Sequence, residues 1–181
     1  MEMLHRNLHK IDTNCIYLCC DSLYRGDAVY IFYSFIRFFG DGVAYESPSF
    51  SEEPSVTDYN NLRGYFPEGF GIPAHYGMYC IFGDTLVFEW NPFLSAIAPS
   101  WAHRYYLISG GGDSLIILGA TFGRYKRGRK GIENKCKTCC VCIRKQVPLY
   151  NWDWRRYTRS RRYLRIPWRE REARRMVREA K

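Results

Sequence analysis

Phe35-Ile-Arg-Phe-Phe-Gly-Asp-Gly-Val-Ala-Tyr45 places an aromatic, alternating run on each side of a Gly-Asp-Gly turn, and the chain repeats this form twice. The later copies are Tyr79-Cys-Ile-Phe-Gly-Asp-Thr-Leu-Val-Phe-Glu-Trp90 and Tyr105-Tyr-Leu-Ile-Ser-Gly-Gly-Gly-Asp-Ser-Leu-Ile-Ile-Leu118. Glycine reaches the positive φ of a tight hairpin turn without cost, and Asp tolerates it better than most side chains. Broad rings and β-branched side chains suit a half-buried pleated surface. Three such units in series predict an antiparallel β fold.

Working outward, Cys15–Cys20 reads as a short strand, Asp21–Asp27 as a connection and Val29–Phe39 as a long strand that turns into Val43–Ser47. Tyr33, Phe35 and Arg37 alternate with Ser34, Ile36 and Phe38. Both faces are largely apolar, so this strand is expected between a core and a cover. Ser51 is a candidate cap for a short helix near 51–62, with Pro54 in its first turn. Further strands are expected at Leu62–Phe66, Tyr76–Phe82, Thr85–Trp90, Arg104–Ile108, Ser114–Leu118 and Thr138–Lys145. The fold class is therefore mainly β, an up-and-down meander of about eight to nine strands. Such a sheet must hide its edges, and about eight strands close into a barrel.

The 181 residues are 46% apolar and 17% aromatic, enough for one domain with a hydrophobic core and too apolar for a disordered chain over 1–150. The formal charge of +9 is not evenly spread. Residues 155–181 hold twelve Arg or Lys against three Glu, a surplus equal to that of the whole chain, so the preceding body is neutral. The expected division is a barrel domain over 1–154 and a basic tail over 155–181. From Pro167 onward the tail has helix formers, with Ala173, Met176, Val177 and Ala180 at helical spacing. No apolar run is long enough for a transmembrane helix, and residues 1–10 lack the apolar core of a secretion signal. A cytoplasmic location follows for the chain as written, and export if a leader precedes it. The eight Cys include the adjacent pairs Cys19-Cys20 and Cys139-Cys140. They read as free thiols in a reducing compartment, ahead of a disulfide and of a metal site.

Phe35-Ile-Arg-Phe-Phe-Gly-Asp-Gly-Val43 resembles the LRFY-x-DG-x-V strand–turn–strand of small bacterial lipocalin-like proteins of the calycin class. Gly77-Met-Tyr-Cys-Ile-Phe-Gly-Asp-Thr-Leu86 is similar to their G-x-Y-x-I-x-GD-T-L hairpin. His9-Lys-Ile-Asp-Thr-Asn-Cys-Ile-Tyr17 is similar to their opening strand, with Asn14-Cys15 where Gly is usual. The resemblance implies a lipocalin-like barrel that binds a small apolar ligand in its interior. On that expectation Phe35, Tyr65, Tyr79, Phe88, Trp90 and Tyr106 are the candidate lining residues.

Other chemistry is thinly represented. Cys136 and Cys139 have the C-x-x-C spacing of half a zinc site, but no second C-x-x-C or H-x-x-x-H supplies the remaining ligands. No cofactor is expected. His5, His9, His75 and His103 stand in no catalytic spacing, and Asp84 and Asp113 sit in turns where Asp serves the backbone. A non-enzymatic protein is expected. The alternative function lies in the tail, where Arg155, Arg156, Arg159, Arg161, Arg162 and Arg165 interleave with the aromatic rings of Trp152, Trp154, Tyr157 and Trp168. Guanidinium groups neutralise phosphates while rings stack on bases, so a polyanion such as single-stranded nucleic acid is the alternative partner, with the barrel as scaffold.

Overall fold

The computed structural model describes residues 8–40, 42–62, 75–90, 100–124, 132–135 and 140–151. Among them run nine strands: β1 (Ile16–Arg25), β2 (Ala28–Phe38), β3 (Val43–Glu46), β4 (His75–Phe82), β5 (Thr85–Trp90), β6 (Ser100–Ser109), β7 (Ser114–Arg124), β8 (Ile132–Lys135) and β9 (Val141–Lys145). Every pairing is antiparallel, and each strand from β1 to β7 pairs with the next in the chain. β9 then lies between β1 and β7 and closes an eight-stranded barrel. β8 runs beside Gly119–Phe122 of β7, beyond the reach of β9. Closure supplies both edges of the meander with partners, as the aromatic content required.

Two local expectations are corrected. Asp21–Arg25 is strand rather than connection: it pairs residue for residue with Ala28–Phe32 across a two-residue Gly26-Asp27 turn. Gly26 has φ +61°, the left-handed backbone such a turn demands. Leu23, Tyr24, Val29 and Tyr30 favour the extended chain more strongly than Asp21 and Ser22 oppose it. β9 stops pairing with β1 at Cys19, so the far part of this hairpin extends past the β9 ladder, and Leu23, Tyr24, Val29, Tyr30 and Ile31 are exposed on it.

The helix also starts later than expected. It is α1 (Val56–Asn60), capped by Ser55 instead of Ser51, with Pro54 ahead of the cap. The Ser55 hydroxyl oxygen accepts from the Asp58 N–H while the Asp58 carboxylate accepts from the Ser55 N–H, a reciprocal capping box. Leu62 follows it outside any strand, and the remainder of the expected 62–66 strand lies outside the described residues.

Residues opposite one another in a ladder point to the same side of the sheet. Tyr17, Ile36, Phe38, Ala44, Tyr79, Leu86, Phe88, Trp90 and Tyr106 share one buried cluster, the barrel interior. The alternating positions Ile16, Phe35 and Tyr45 face outward and pack beneath Tyr59 and Leu62. Asn60 fastens this cover: its amide donates to the Pro148 carbonyl (2.8 Å) and its oxygen accepts from the Tyr150 N–H (2.7 Å). Arg37, on the same outer face, donates to the Tyr150 carbonyl at 2.7 Å. Segments 47–62 and 146–150 are thus the cover expected over the long second strand.

Candidate functional site

The barrel ends differ. At one end the β2–β3, β4–β5 and β6–β7 connections are short, and residues 8–15 pass across them with Ile11 in the inner cluster. Lys10 Nζ donates to the Gly83 carbonyl (3.0 Å) and pairs with Asp84 (2.7 Å). The Tyr17 hydroxyl donates to the Gly112 carbonyl at 2.7 Å. Gly112 has φ +104°, and a Cβ there would stand 2.6 Å from the Lys10 carbonyl oxygen, so only glycine permits this approach. Arg144 pairs with Asp113 at 2.6 Å and lies 3.6 Å from Asp12. A polar cleft of about 350 Å³ lies here, lined by His9, Asp12, Asn14 and Arg144 among others. Asp84 and Asp113, expected to serve their turns, also each hold a cation from another segment. These charges satisfy one another, and the end is latched shut.

At the opposite end β3 finishes at Glu46 and β5 at Trp90, and β4 starts at His75 and β6 at Ser100. Towards it the inner wall changes character. Glu46 ends β3 opposite Ile36, an inner-cluster residue, and so projects inward. Arg104 of β6 stands opposite Phe88, also inner. The Arg104 guanidinium donates through Nη1 to Glu46 Oε1 and lies over the Trp90 ring, 5.2 Å from its centroid. Glu46 retains 7% of its side-chain exposure and Arg104 27%, so the pair is buried on the carboxylate side and reachable on the guanidinium side. Among the described residues Glu46 Oε2 is buried with no hydrogen-bond partner, and so is the hydroxyl of Tyr106, two residues along β6 from Arg104. Burial pushes the Tyr106 phenol above its ordinary pKa, with the Arg104 charge acting in the other direction. It is a neutral O–H at physiological pH.

Aromatic rings flank this pair. The Phe88 and Trp90 rings stack beside it with centroids 5.3 Å apart, and towards the latched end Phe38 meets Tyr79 edge to face at 4.8 Å, where the Tyr79 hydroxyl donates to the Phe39 carbonyl. Gly77 makes the arrangement possible, because a Cβ there would come within 2.6 Å of the Phe88 ring and 2.1 Å of the Glu89 carbonyl oxygen.

Of the lining candidates, Tyr79, Phe88, Trp90 and Tyr106 lie in the inner cluster. Phe35 does not: its ring belongs to the outer cluster, 5.1 Å from Tyr59 and 5.8 Å from Tyr45. Both faces of β2 are apolar, so alternation alone could not tell core from cover. Tyr65, Cys136, Cys139 and the tail residues Arg155, Arg156, Arg159, Arg161, Arg162 and Arg165 lie outside the described residues. Among the described residues no cluster of His, Cys, Asp or Glu is suited to a metal ion.

The thiol expectation is overturned at one pair. Cys19 and Cys142 face each other across the β1–β9 ladder and form a disulfide in the interior. The first strand is the neighbour of the last, so barrel closure itself brings together cysteines 123 positions apart. Cys15, Cys20, Cys80 and Cys140 are outside any disulfide.

Sequence reading also missed a polar chain on the outer face. Glu89, His103 and Thr121 are direct cross-strand neighbours on β5, β6 and β7. Glu89 Oε2 lies 2.5 Å from His103 Nε2, Thr121 Oγ1 3.5 Å from Nδ1, and the Tyr105 hydroxyl 3.3 Å from Thr121 Oγ1. One proton arrangement serves all of them: Tyr105 donates to Thr121, Thr121 to His103, and His103 to Glu89. All four are buried, so the hydroxyls are not presented to a substrate. The signal was the polar alternation Glu89 and Thr85 against Leu86, Phe88 and Trp90, which marks the outer face of β5 but not its partners.

Among the described residues no helix is long and apolar enough to cross a membrane. No protein-family model, curated protein or solved structure matches the chain.

Proposed function

We propose that the chain is a lipocalin-like binding protein, non-enzymatic, that takes a small, largely apolar molecule into the barrel interior from the end opposite the latched one. The observation that carries this reading is the inner wall around Glu46 and Arg104: the Phe88 and Trp90 rings stand beside the pair, and two buried polar atoms of this wall have no hydrogen-bond partner among the described residues. Unpartnered buried polar atoms are uncommon in native structures and cost free energy wherever they persist. A ligand that supplies the missing partners gives them a purpose. Phe88, Trp90, Tyr79 and Tyr106 are the proposed lining. The barrel over 1–154 is proposed as the binding domain and 155–181 as a basic appendage that ligand uptake does not require.

The test is saturable uptake of the fluorescent probe N-phenyl-1-naphthylamine by the full chain, repeated with residues 155–181 deleted and with Phe88→Arg. Uptake with one site per chain should survive the deletion and vanish with the arginine, once circular dichroism has shown the variant folded. Uptake that vanishes with the tail, or that never saturates, refutes the reading.

A further inference from the structure

The geometry points to the chemistry of the ligand's polar end: we infer that the interior selects a neutral head group bearing an N–H or O–H donor, such as a primary amide or an alcohol, over a carboxylate. This inference rests on the interior-binding reading above. The reasoning starts from charge. Glu46 and Arg104 already neutralise each other through Nη1 and Oε1. A ligand carboxylate entering beside them would bring a second negative charge next to a buried one, and like charges in low dielectric repel strongly. Arg104 has further N–H donors on its exposed side, but a single guanidinium charge cannot compensate two carboxylates, so a bound anion leaves net negative charge beside the buried Glu46.

Hydrogen-bonding capacity points the same way. Glu46 Oε2 is an acceptor with no donor, and an ionised carboxylate has no proton to offer in return. The Tyr106 hydroxyl is unpaired and can donate to a carbonyl or accept from an N–H. A primary amide fits both: its NH₂ donates to Glu46 Oε2 and its oxygen accepts from Tyr106. An ester of equal length meets the second demand alone. Bonds to an ionised acceptor are stronger than neutral ones, so the donor contact should dominate the selectivity.

The experiment displaces N-phenyl-1-naphthylamine from the full chain with three ligands of one chain length: decanamide, methyl decanoate and decanoate. Wild-type protein should bind decanamide about ten-fold more tightly than decanoate, with the ester between them. Glu46→Gln frees the Arg104 guanidinium and removes the repelling charge, so decanoate should overtake decanamide. Tyr106→Phe removes one hydroxyl without altering the ring, and should weaken decanamide several-fold while leaving the wild-type order in place. Decanoate binding as well as decanamide in the wild type overturns the inference, as does an unchanged order in Glu46→Gln. Should Glu46→Gln not fold, the wild-type order and Tyr106→Phe still decide. If the probe binds and all three ligands displace it equally, the head-group inference falls and interior binding stands. If the wild-type chain takes up no probe, both fall together.

Discussion

Reducing the Cys19–Cys142 disulfide should cost the fold a large part of its stability. The bond joins positions 123 residues apart, so in the unfolded chain it closes a loop nearly as long as the barrel sequence itself. The chain-entropy relation gives about 5 kcal/mol at 25 °C for a loop of this length, and disulfides in practice deliver about 2–4 kcal/mol. β1 and β9 are also held by backbone pairing from Ile16 to Cys19, so reduction opens no new edge by itself. The effect should therefore appear in equilibrium stability with the native sheet retained. Urea titration of the oxidised and reduced protein is the assay. With a slope near the middle of the usual range, about 2 kcal/mol per molar, the midpoint should fall by roughly 1–2 M. Cys15, Cys20, Cys80 and Cys140 lie outside any disulfide, so reductant leaves them unchanged. Alkylation of the unreduced, denatured protein followed by peptide mapping identifies the pair. An unmoved midpoint, or full alkylation of Cys19 and Cys142 without reductant, would refute the reasoning. Such bonds persist in oxidising compartments, so the disulfide runs against the reducing environment suggested by cysteine composition.

Gly77→Ala should destabilise strongly, because its Cβ would collide with the Glu89 backbone as well as with the Phe88 ring; a thermal melt should register at least the 1–3 kcal/mol usual for an overpacked core. Ser55→Ala removes the hydroxyl arm of the capping box, leaving the Ser55 N–H to Asp58 bond, and should cost about 1 kcal/mol in urea unfolding, with the barrel intact. Burial, with the Asp12 charge adding to it, pushes the Cys15 thiol up to about 12 from an ordinary 9. Its folded pKa lies above its unfolded one, so this stabilisation is complete below about pH 9 and declines as pH rises towards 12. Cys15→Ala should flatten the fall in urea midpoint between pH 9 and 11, and an unchanged slope would count against the assignment. Arg144→Met should cost under about 1 kcal/mol despite its two carboxylate neighbours, since partly exposed ion pairs contribute little; a larger loss in the urea midpoint would show the latch to be cooperative.

The repeated strand–turn–strand units were legible because glycine and alternation are local signals. β5 runs over Thr85–Trp90 as expected, since six residues and a Gly83-Asp84 turn leave one register for a hairpin. The exposed end of the β1–β2 hairpin was not legible, because Asp21 and Ser22 resemble a loop until Leu23 and Tyr24 find partners in Tyr30 and Val29. The shift of the helix cap from Ser51 to Ser55 has a similar origin: both are Ser–x–x–acid or near it, and Asp58 selects the second by closing the box. Local sequence offers such choices, and only a partner settles them.

The candidate site failed to show for a deeper reason. Glu46 ends a strand and Arg104 lies mid-strand, 58 residues apart in sequence, each an ordinary polar residue in an aromatic stretch. The side that each faces depends on the count from its own turn, and whether two inward residues meet depends on which strands the barrel brings across from one another. Phe35 shows the cost of lacking that information: it has the same residue type and surroundings as Phe88 and faces the other way. The aromatic candidates are therefore the weaker guide to function, since most rings in this barrel serve packing. The stronger guide is the polar pair that the packing has to accommodate. An aliphatic pair would fill the same space without leaving Glu46 Oε2 unpaired, so the ionic groups are unnecessary to hold the wall together. What they add is a specific hydrogen-bonding demand within an apolar enclosure, and that demand is the property a ligand can meet.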